Sequence, residues 1–302
     1  MNLQAPEFRR CPVTGRTVVL APGRADRPNS VPRPPEVPDA GPCPFCPGNE
    51  DETPPELFAI RDANGWQLRV VPNKFPAVDA AAPAFGFHEV LVECPEHFSR
   101  PTELGESQFA NIFRAYRERL LFHAHHSRIE SVTIFKNVGT AAGASLSHSH
   151  SQLIALPFVP AALLEELGSN RCEFCRMTDE PSRVVAESEK FVVLCPFAPR
   201  FAYEMWAMPK DHEPRFESIA EFAELAGLVK RALVALDRAL NFPAFNWYLH
   251  TAPRGHHPDY HWHVEIVPRL SRVAGFEWGS GIFINDVVPE RAAAELRHKL
   301  PA

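Results

Sequence analysis

Hydrophobic residues recur along this chain in two periods. Short runs of strand length, rich in β-branched and aromatic residues, occur at Val70-Val-Pro, Glu89-Val-Leu-Val-Glu93, Ser131-Val-Thr-Ile-Phe-Lys-Asn137, Phe191-Val-Val-Leu194, Met205-Trp-Ala-Met208 and Phe245-Asn-Trp-Tyr-Leu249. These are predicted strands. Two longer stretches carry apolar residues at spacings of three and four, which predicts helices. One runs from about Glu103 to His123 with Phe109, Ile112, Phe113, Tyr116, Leu120 and Leu121 on one side. The other runs from about Ser218 to Leu240 with Phe222, Leu225, Leu228, Val229, Leu233 and Leu236. Pro289–Leu300 reads as a short amphipathic helix.

The order of these elements repeats. Cys43-Pro-Phe-Cys46, a strand, His97, a helix, a strand and His148-Ser-His150 are followed by Cys172-Glu-Phe-Cys175, a strand, His212, a helix, a strand and His261-Trp-His263. Glu89 to His97 and Glu204 to His212 are both eight residues apart. The expected fold is therefore α+β, two tandem repeats, each an antiparallel sheet with a packed helix. The break falls near Pro157–Asn170, giving a first unit over residues 1–165 and a second over 166–302.

Composition narrows the function classes. With 45% hydrophobic and 23% charged residues, the chain has the make-up of a globular protein. A net charge of −6 and the lack of a basic run give nucleic-acid binding no electrostatic support. No run approaches the ~20 apolar residues of a membrane span, and the N-terminus lacks an apolar signal core, so a cytoplasmic location is expected. There are 31 prolines, about twice the usual ~5%, and many fall between Pro28 and Pro55, an irregular segment that needs pinning from outside. Seven cysteines make an odd count, and four of them form two Cys-x-x-Cys pairs, which points to metal before disulfides.

Thiolate and imidazole ligands suit zinc in a closed tetrahedral site. The repeat nominates Cys43, Cys46, His97 and His148 for one ion, and Cys172, Cys175, His212 and His261 for a second. Both sites would be structural, because four such ligands leave no open position. Each pair could also be a turn with free thiols or a redox couple.

The densest chemistry lies in Asn137-Val-Gly-Thr-Ala-Ala-Gly143-Ala-Ser145-Leu-Ser-His148-Ser-His150-Ser-Gln152. Residues i and i+2 of a strand share a face, so His148, His150 and Gln152 line up. His148 can anchor to metal while His150 offers its ring as a nucleophile toward phosphorus, provided its far nitrogen is protonated and held by an acceptor. Gln152 supplies donors for phosphate oxygens without adding a base. Gly143, Ala144 and Ser145 bring backbone amides and a hydroxyl to the same oxygens. His150 could alternatively be a second ligand or a core histidine. The second histidine pair lacks the Gly-Ala-Ser lead and carries Glu265 where Gln152 stands, so the second half is expected to be catalytically silent. Arg24 and Arg27 could grip a distal phosphate or be ordinary surface arginines.

Taken together, these residues resemble the galactose-1-phosphate uridylyltransferases and their relatives the ADP-sugar phosphorylases, within the histidine-triad superfamily. The resemblance runs from Pro12-Val-Thr-Gly-Arg through Cys43-Pro-Phe-Cys46, Asn73-Lys-Phe-Pro76 and His88-Glu-Val, and peaks at Gly143-Ala-Ser-Leu-Ser-His-Ser-His-Ser-Gln152. It implies that His150 forms a nucleotidyl-histidine, with Gln152 and Ser145 on the phosphate. It further implies Arg24 and Arg27 on the distal phosphate, Asn73 and Phe75 on the nucleoside, and Asn137 and Gly143 in the pocket. The segment Gly275-Phe276-Glu277-Trp-Gly279 would bind sugar, although its sequence differs from the lysine-containing form of well-known bacterial enzymes. Ser149 replaces the proline that many uridylyltransferases place between the two histidines. The implied substrates are a nucleotide sugar and a sugar 1-phosphate or phosphate, with zinc as cofactor and a homodimer as the assembly. UDP-glucose and galactose 1-phosphate are the default pair, and ADP-sugar phosphorolysis is the alternative. A non-catalytic zinc-stabilised nucleotide-binding protein and a hydrolase are readings from other classes.

Overall fold

The computed structural model describes residues 5–25, 42–167 and 172–301. In the first half, strands β1 (Glu7–Arg10) and β2 (Thr17–Leu20) form a hairpin, followed by β3 (Phe58–Asp62), β4 (Gly65–Pro72) and β5 (Phe87–Val92). Helix α1 (Glu106–Ala124), β6 (Ser131–Val138), β7 (His150–Leu156) and the short α2 (Ala161–Glu166) complete it. The second half runs α3 (Glu173–Met177), β8 (Val184–Glu187), β9 (Phe191–Leu194), β10 (Met205–Pro209), α4 (Ala223–Leu240), β11 (Phe245–His250) and β12 (His263–Pro268). The chain closes with α5 (Gly275–Ser280), β13 (Phe283–Asn285) and α6 (Pro289–Arg297).

Ten strands form one antiparallel sheet in the order β3-β4-β5-β7-β6-β11-β12-β10-β9-β8. Read outward from the middle, β6, β7, β5, β4, β3 match β11, β12, β10, β9, β8. The repeat is thus an internal pseudo-twofold whose seam is the β6–β11 pair, with Asn137 opposite Asn246. The sequence repeat predicted two sheets; the structure joins them edge to edge. Joining pairs two edges that would otherwise expose unbonded amides and carbonyls.

Register corrects one alignment drawn from spacing. Val90 pairs with Gln152 and Trp206 with Glu265. Equating Gln152 with Glu265 therefore matches Val90 to Trp206 and His88, not Glu89, to Glu204. Alternation then sends Glu89 to the opposite face, where α1 meets it through Arg119 and His123.

One face of the sheet carries the helices. Phe109, Ile112, Phe113, Tyr116 and Leu120 of α1 and Leu225, Val229, Leu233 and Leu236 of α4 pack with Leu91, Ile134, Leu153, Trp247 and Ile266 in the main core. Both helices start later than their apolar pattern suggests. Thr102 and Arg100 ahead of α1 hydrogen-bond Asp237 of α4, and Phe216–Ser218 forms a separate turn of 3-10 helix before α4. These side-chain and turn interactions replace the first helical turn.

The other face differs between halves. In the second half it is covered by the small sheet β1-β2-β13, with Val18 and Leu20 packed on Val192, Leu194, Trp206 and Met208. In the first half, among the described residues, Cys43 and Phe45 pack on Val71, Val90 and Val92 with the half-buried Cys46, Trp66 and Leu146 around them, and a cleft opens beside this cluster. Among the described residues no helix is long and apolar enough to cross a membrane.

Candidate functional site

The cleft has a volume of about 710 Å³, within the ~300–1,000 Å³ of small-ligand sites. His150, Gln152, Ser145, Asn73 and Phe75 all line it, beside Phe45, Val71 and Val90. Strand alternation puts them there. Gln152 and His150 lie opposite Val90 and Val92 on the face away from α1, and Asn73 follows β4 directly. Phe75 is 84% exposed at the rim, an apolar ring with no aromatic ring stacked on it among the described residues. His148 stands two residues ahead of β7 and continues the line, since Phe45 meets both His148 and His150 rings, at 6.1 and 5.4 Å.

His150 is held in one protonation form. Its Nδ1 lies 2.7 Å from the carbonyl oxygen of His148 and must donate to it, so Nε2 keeps the lone pair. Burial lowers the ring's pKa from its ordinary value, with nearby Lys136 acting the same way. A neutral imidazole with a free Nε2 is the form that attacks phosphorus.

The strand that carries it is fixed from below. Lys136 is buried and donates to the His150 carbonyl and the Ser149 hydroxyl, each at 3.0 Å, and to the Glu93 carboxylate. Glu93 also accepts from Ser149 at 2.7 Å and from Ser151, and Tyr116 reaches Ser151 at 2.5 Å. Sequence reading missed this network, because its members come from different elements: Lys136, Glu93, Ser149 and Ser151 look like ordinary alternating strand positions, and Tyr116 like one more residue of the apolar stripe of α1.

The small-residue turn after β6 is set by glycine. Gly139 and Gly143 have φ of +81° and +88°, which side-chain-bearing residues rarely adopt. Asn246 donates to Asn137 Oδ1 at 2.7 Å and to the Ala142 carbonyl at 2.8 Å, so the second half braces the turn that precedes Ser145. Asn137 lies behind this turn and is not among the residues that line the cleft.

Two Cys2His2 clusters come together as the repeat predicts. Cys43 and Cys46 Sγ lie 3.6 and 3.7 Å from His148 Nδ1, and Cys46 lies 3.2 Å from His97 Nδ1. Cys172 and Cys175 stand 3.4 and 3.5 Å from His261 Nδ1, and Cys175 3.5 Å from His212 Nδ1. A tetrahedral ion with zinc–sulfur bonds of ~2.3 Å and zinc–nitrogen bonds of ~2.05 Å needs sulfur–nitrogen separations of about 3.6 Å. The far nitrogens of His148 and His261 donate to the carbonyls of Cys94 and Pro209 at 2.8 and 3.0 Å, which leaves each Nδ1 as the ligating atom. Burial and the neighbouring Cys46 raise the Cys43 thiol to about 11, so a cation is what would hold this pair as thiolates. The donor sets fit a metal ion.

The second half repeats the site and fills it. His263 Nδ1 lies 3.1 Å from the His261 carbonyl, as His150 does from His148, and Phe174 packs on its ring at 4.4 Å as Phe45 does on His150. Yet His263 is fully buried, and its Nε2, 3.6 Å from Glu265 and 3.9 Å from Glu166, has no hydrogen-bond partner among the described residues. Arg200 spans Glu265, Glu204 and Tyr248, filling the space beside the strand position that Gln152 holds in the first half. Burial alone would raise the Glu265 carboxyl, but Arg200 holds it well below the usual range. The space left is about 20 Å³. Glu166, His250, His263 and Glu265 also converge as a possible metal-holding group, which the sequence did not signal because Glu166 comes from the far end of α2.

Other nominated residues lie elsewhere. Arg24 sits on an exposed turn after β2 and is not among the cleft residues. Phe276, Glu277 and Gly279 lie on α5, whose Phe276 and Trp278 are exposed, also outside the cleft. Arg27 falls outside the described residues.

Known proteins share this plan. Residues 113–302 match the model of a domain of unknown function, DUF4921, and residues 27–159 that of the DUF4931 N-terminal domain. The chain is 38% identical to ADP-glucose phosphorylase of Arabidopsis thaliana over 97% of this chain and 93% of the relative. It is 28% identical to galactose-1-phosphate uridylyltransferase of Thermotoga maritima over 96% and 98%. The crystal structure of the Arabidopsis phosphorylase with bound ADP-glucose superposes with a TM-score of 0.89 at 37% identity, covering 97% of this chain and 99% of that one. A structure of uridylyltransferase gives 0.78 at 28% identity, covering 97% and 98%. Continuous similarity over nearly the whole length, on a doubled antiparallel fold with His150 in a nucleotide-sized cleft, leads to one assignment: the chain belongs to the galactose-1-phosphate uridylyltransferase family of the histidine-triad superfamily, close to the ADP-sugar phosphorylases.

Proposed function

We propose that the protein is a phosphorylase of ADP-sugars, with ADP-glucose as donor and inorganic phosphate as acceptor. The observation that carries the reaction type is the bond from His150 Nδ1 to the His148 carbonyl, which leaves a neutral ring with a free Nε2 in the cleft. The observation that favours this donor over UDP-glucose is similarity: 38% identity to an ADP-glucose phosphorylase against 28% to a uridylyltransferase, both near full length. The default pair of UDP-glucose and galactose 1-phosphate therefore gives way to the alternative.

In the proposed reaction His150 Nε2 bonds to the α-phosphorus as the bond from that phosphorus to the bridging oxygen breaks. Glucose 1-phosphate leaves with the bridging oxygen. The positive charge formed on the ring is shared through Nδ1–H with the His148 carbonyl. Gln152 and the amides around Ser145 receive the charge that gathers on the phosphate oxygens. Phosphate then attacks the same phosphorus, the nitrogen–phosphorus bond breaks, and ADP departs. Phe75 at the rim gives the base a face to stack on, and Asn73 lies beside it. Zinc would occupy the two Cys2His2 clusters, pinning His148 and the Cys43–Cys46 loop beneath His150; it takes no part in the transfer. The homodimer follows from the resemblance and is checked by light scattering.

The test is phosphorolysis. Protein, ADP-glucose and phosphate should yield glucose 1-phosphate and ADP. Faster exchange of UDP-glucose with galactose 1-phosphate would overturn the choice of donor. No transfer from either, in folded metal-loaded protein, would favour a binding protein.

A further inference from the structure

A histidine outside the repeated metal and nucleophile motifs touches two residues that line the cleft, Gln152 and Asn73. His88 lies on β5, one diagonal step from Gln152, and its Nε2 is 2.9 Å from Gln152 Oε1. Three backbone or amide donors decide which way each group faces. The backbone N–H of Ala77 donates to His88 Nδ1 at 3.0 Å, so the ring's proton is on Nε2. The backbone N–H of Phe75 donates to Asn73 Oδ1 at 2.8 Å, so the other end of that amide is its NH2. Asn73 Nδ2 lies 3.4 Å from Gln152 Oε1. Asn73 Nδ2 and His88 Nε2, 3.1 Å apart, are therefore two donors converging on one oxygen.

A glutamine amide left alone could face the cleft by either end. Its NH2 would donate to a phosphate oxygen; its oxygen would repel one. We propose that His88 is a positioning residue for the transfer step: its Nε2–H, with Asn73, captures the oxygen of Gln152 and so presents the NH2 end to the α-phosphate. This rests on the nucleotidyl-histidine reading above. The matched position in the second half supports it, because there Glu204 replaces His88 and binds Arg200 and Trp206 instead. Where no phosphate-binding amide remains at the end of the strand, the histidine that would orient one is absent as well.

The test is a double-mutant cycle read in single turnovers with ADP-glucose and no phosphate, following the adduct by intact mass. His88→Leu should slow adduct formation by about 10- to 100-fold, up to the loss expected from removing one oxyanion donor. The ADP-glucose concentration for half-maximal rate should change less than about threefold, as for an interaction realised in the transition state. Gln152→Ala should set the ceiling, and His88→Leu should add little on that background. His88→Phe keeps the ring volume without the donor and should match His88→Leu, should the leucine variant fold poorly. A loss of the same factor with Gln152 present or absent would overturn the inference, because it would show a structural role independent of the amide. So would a wild-type rate in both variants. If wild-type protein formed no adduct, the nucleotidyl-histidine reading would fall and this inference with it; an adduct that forms at an undiminished rate without His88 sinks this inference alone.

Discussion

Replacing His263 with alanine separates the two halves. The ring is fully buried against Phe174 at 4.4 Å and against Trp206 and His250, both at 5.2 Å. Deleting a buried aromatic side chain costs about 3–5 kcal/mol. Losing the hydrogen bond to the His261 carbonyl adds about 1 kcal/mol. Against this, Nε2 is buried with the Glu265 carboxylate at 3.6 Å but no hydrogen-bond partner among the described residues, and removing it returns about 1–3 kcal/mol. The net loss is about 3 kcal/mol, or roughly 6 °C in melting temperature at ~2 °C per kcal/mol for a chain of this size. Turnover measured well below that temperature should stay within about threefold of wild type, since Arg200 and the β1-β2-β13 sheet already fill and cover this half. His150→Ala deletes the nitrogen proposed to attack and should cost about six orders of magnitude, as removal of a covalent nucleophile does. Melting curves and metal content for both variants exclude indirect loss through the neighbouring His261. Equal losses of turnover in proteins of equal stability would refute the asymmetry and make both halves working sites.

Three further outcomes are expected. A chelator that strips the Cys2His2 clusters should lower the melting temperature, and zinc should restore it, with elemental analysis approaching two ions per chain; well under one per folded chain would rule out structural zinc. Lys136→Met leaves the Glu93 carboxylate buried without its cation and should cost about 3–5 kcal/mol, with Glu93→Gln added to it recovering part; a melting curve unchanged by Lys136→Met would contradict the network under His150. Burial opposes ionisation of Glu89, yet hydrogen bonds from His123 and Arg119 hold its carboxyl below the usual value. Its contribution to stability is therefore complete above an unfolded pKa of ~4.3 and is lost as pH falls through the lower folded value. Denaturation midpoints below about pH 4.5 should flatten in Glu89→Gln, and an unaltered acid limb would count against it.

The features legible in the sequence were those written as local spacing. Two Cys-x-x-Cys pairs, two His-x-His pairs and two apolar helical stripes pointed to the α+β repeat, both Cys2His2 clusters and the histidine that lines the cleft, because each depends on residues a few positions apart. Contacts across strands left no such mark. His88 reads as one polar position at the start of β5, and its partner Gln152 is 64 residues away, so only register joins them. Spacing even misled there, matching Glu89 with Glu204 where the ladder matches His88. The filled second half was half visible: Glu265 marked it as different from the first, but Arg200 and the covering sheet come from distant segments. The seam between β6 and β11 was invisible, because pairing two edges needs only complementary backbone.

The most direct measurement is the intact mass of the protein after incubation with ADP-glucose, and separately with UDP-glucose, in the absence of phosphate. One adenylyl group should appear on the chain, map to His150 by fragmentation, and vanish when phosphate is added. Active protein that gains no mass from either sugar nucleotide would contradict a covalent mechanism, and an adduct on any residue other than His150 would contradict the site.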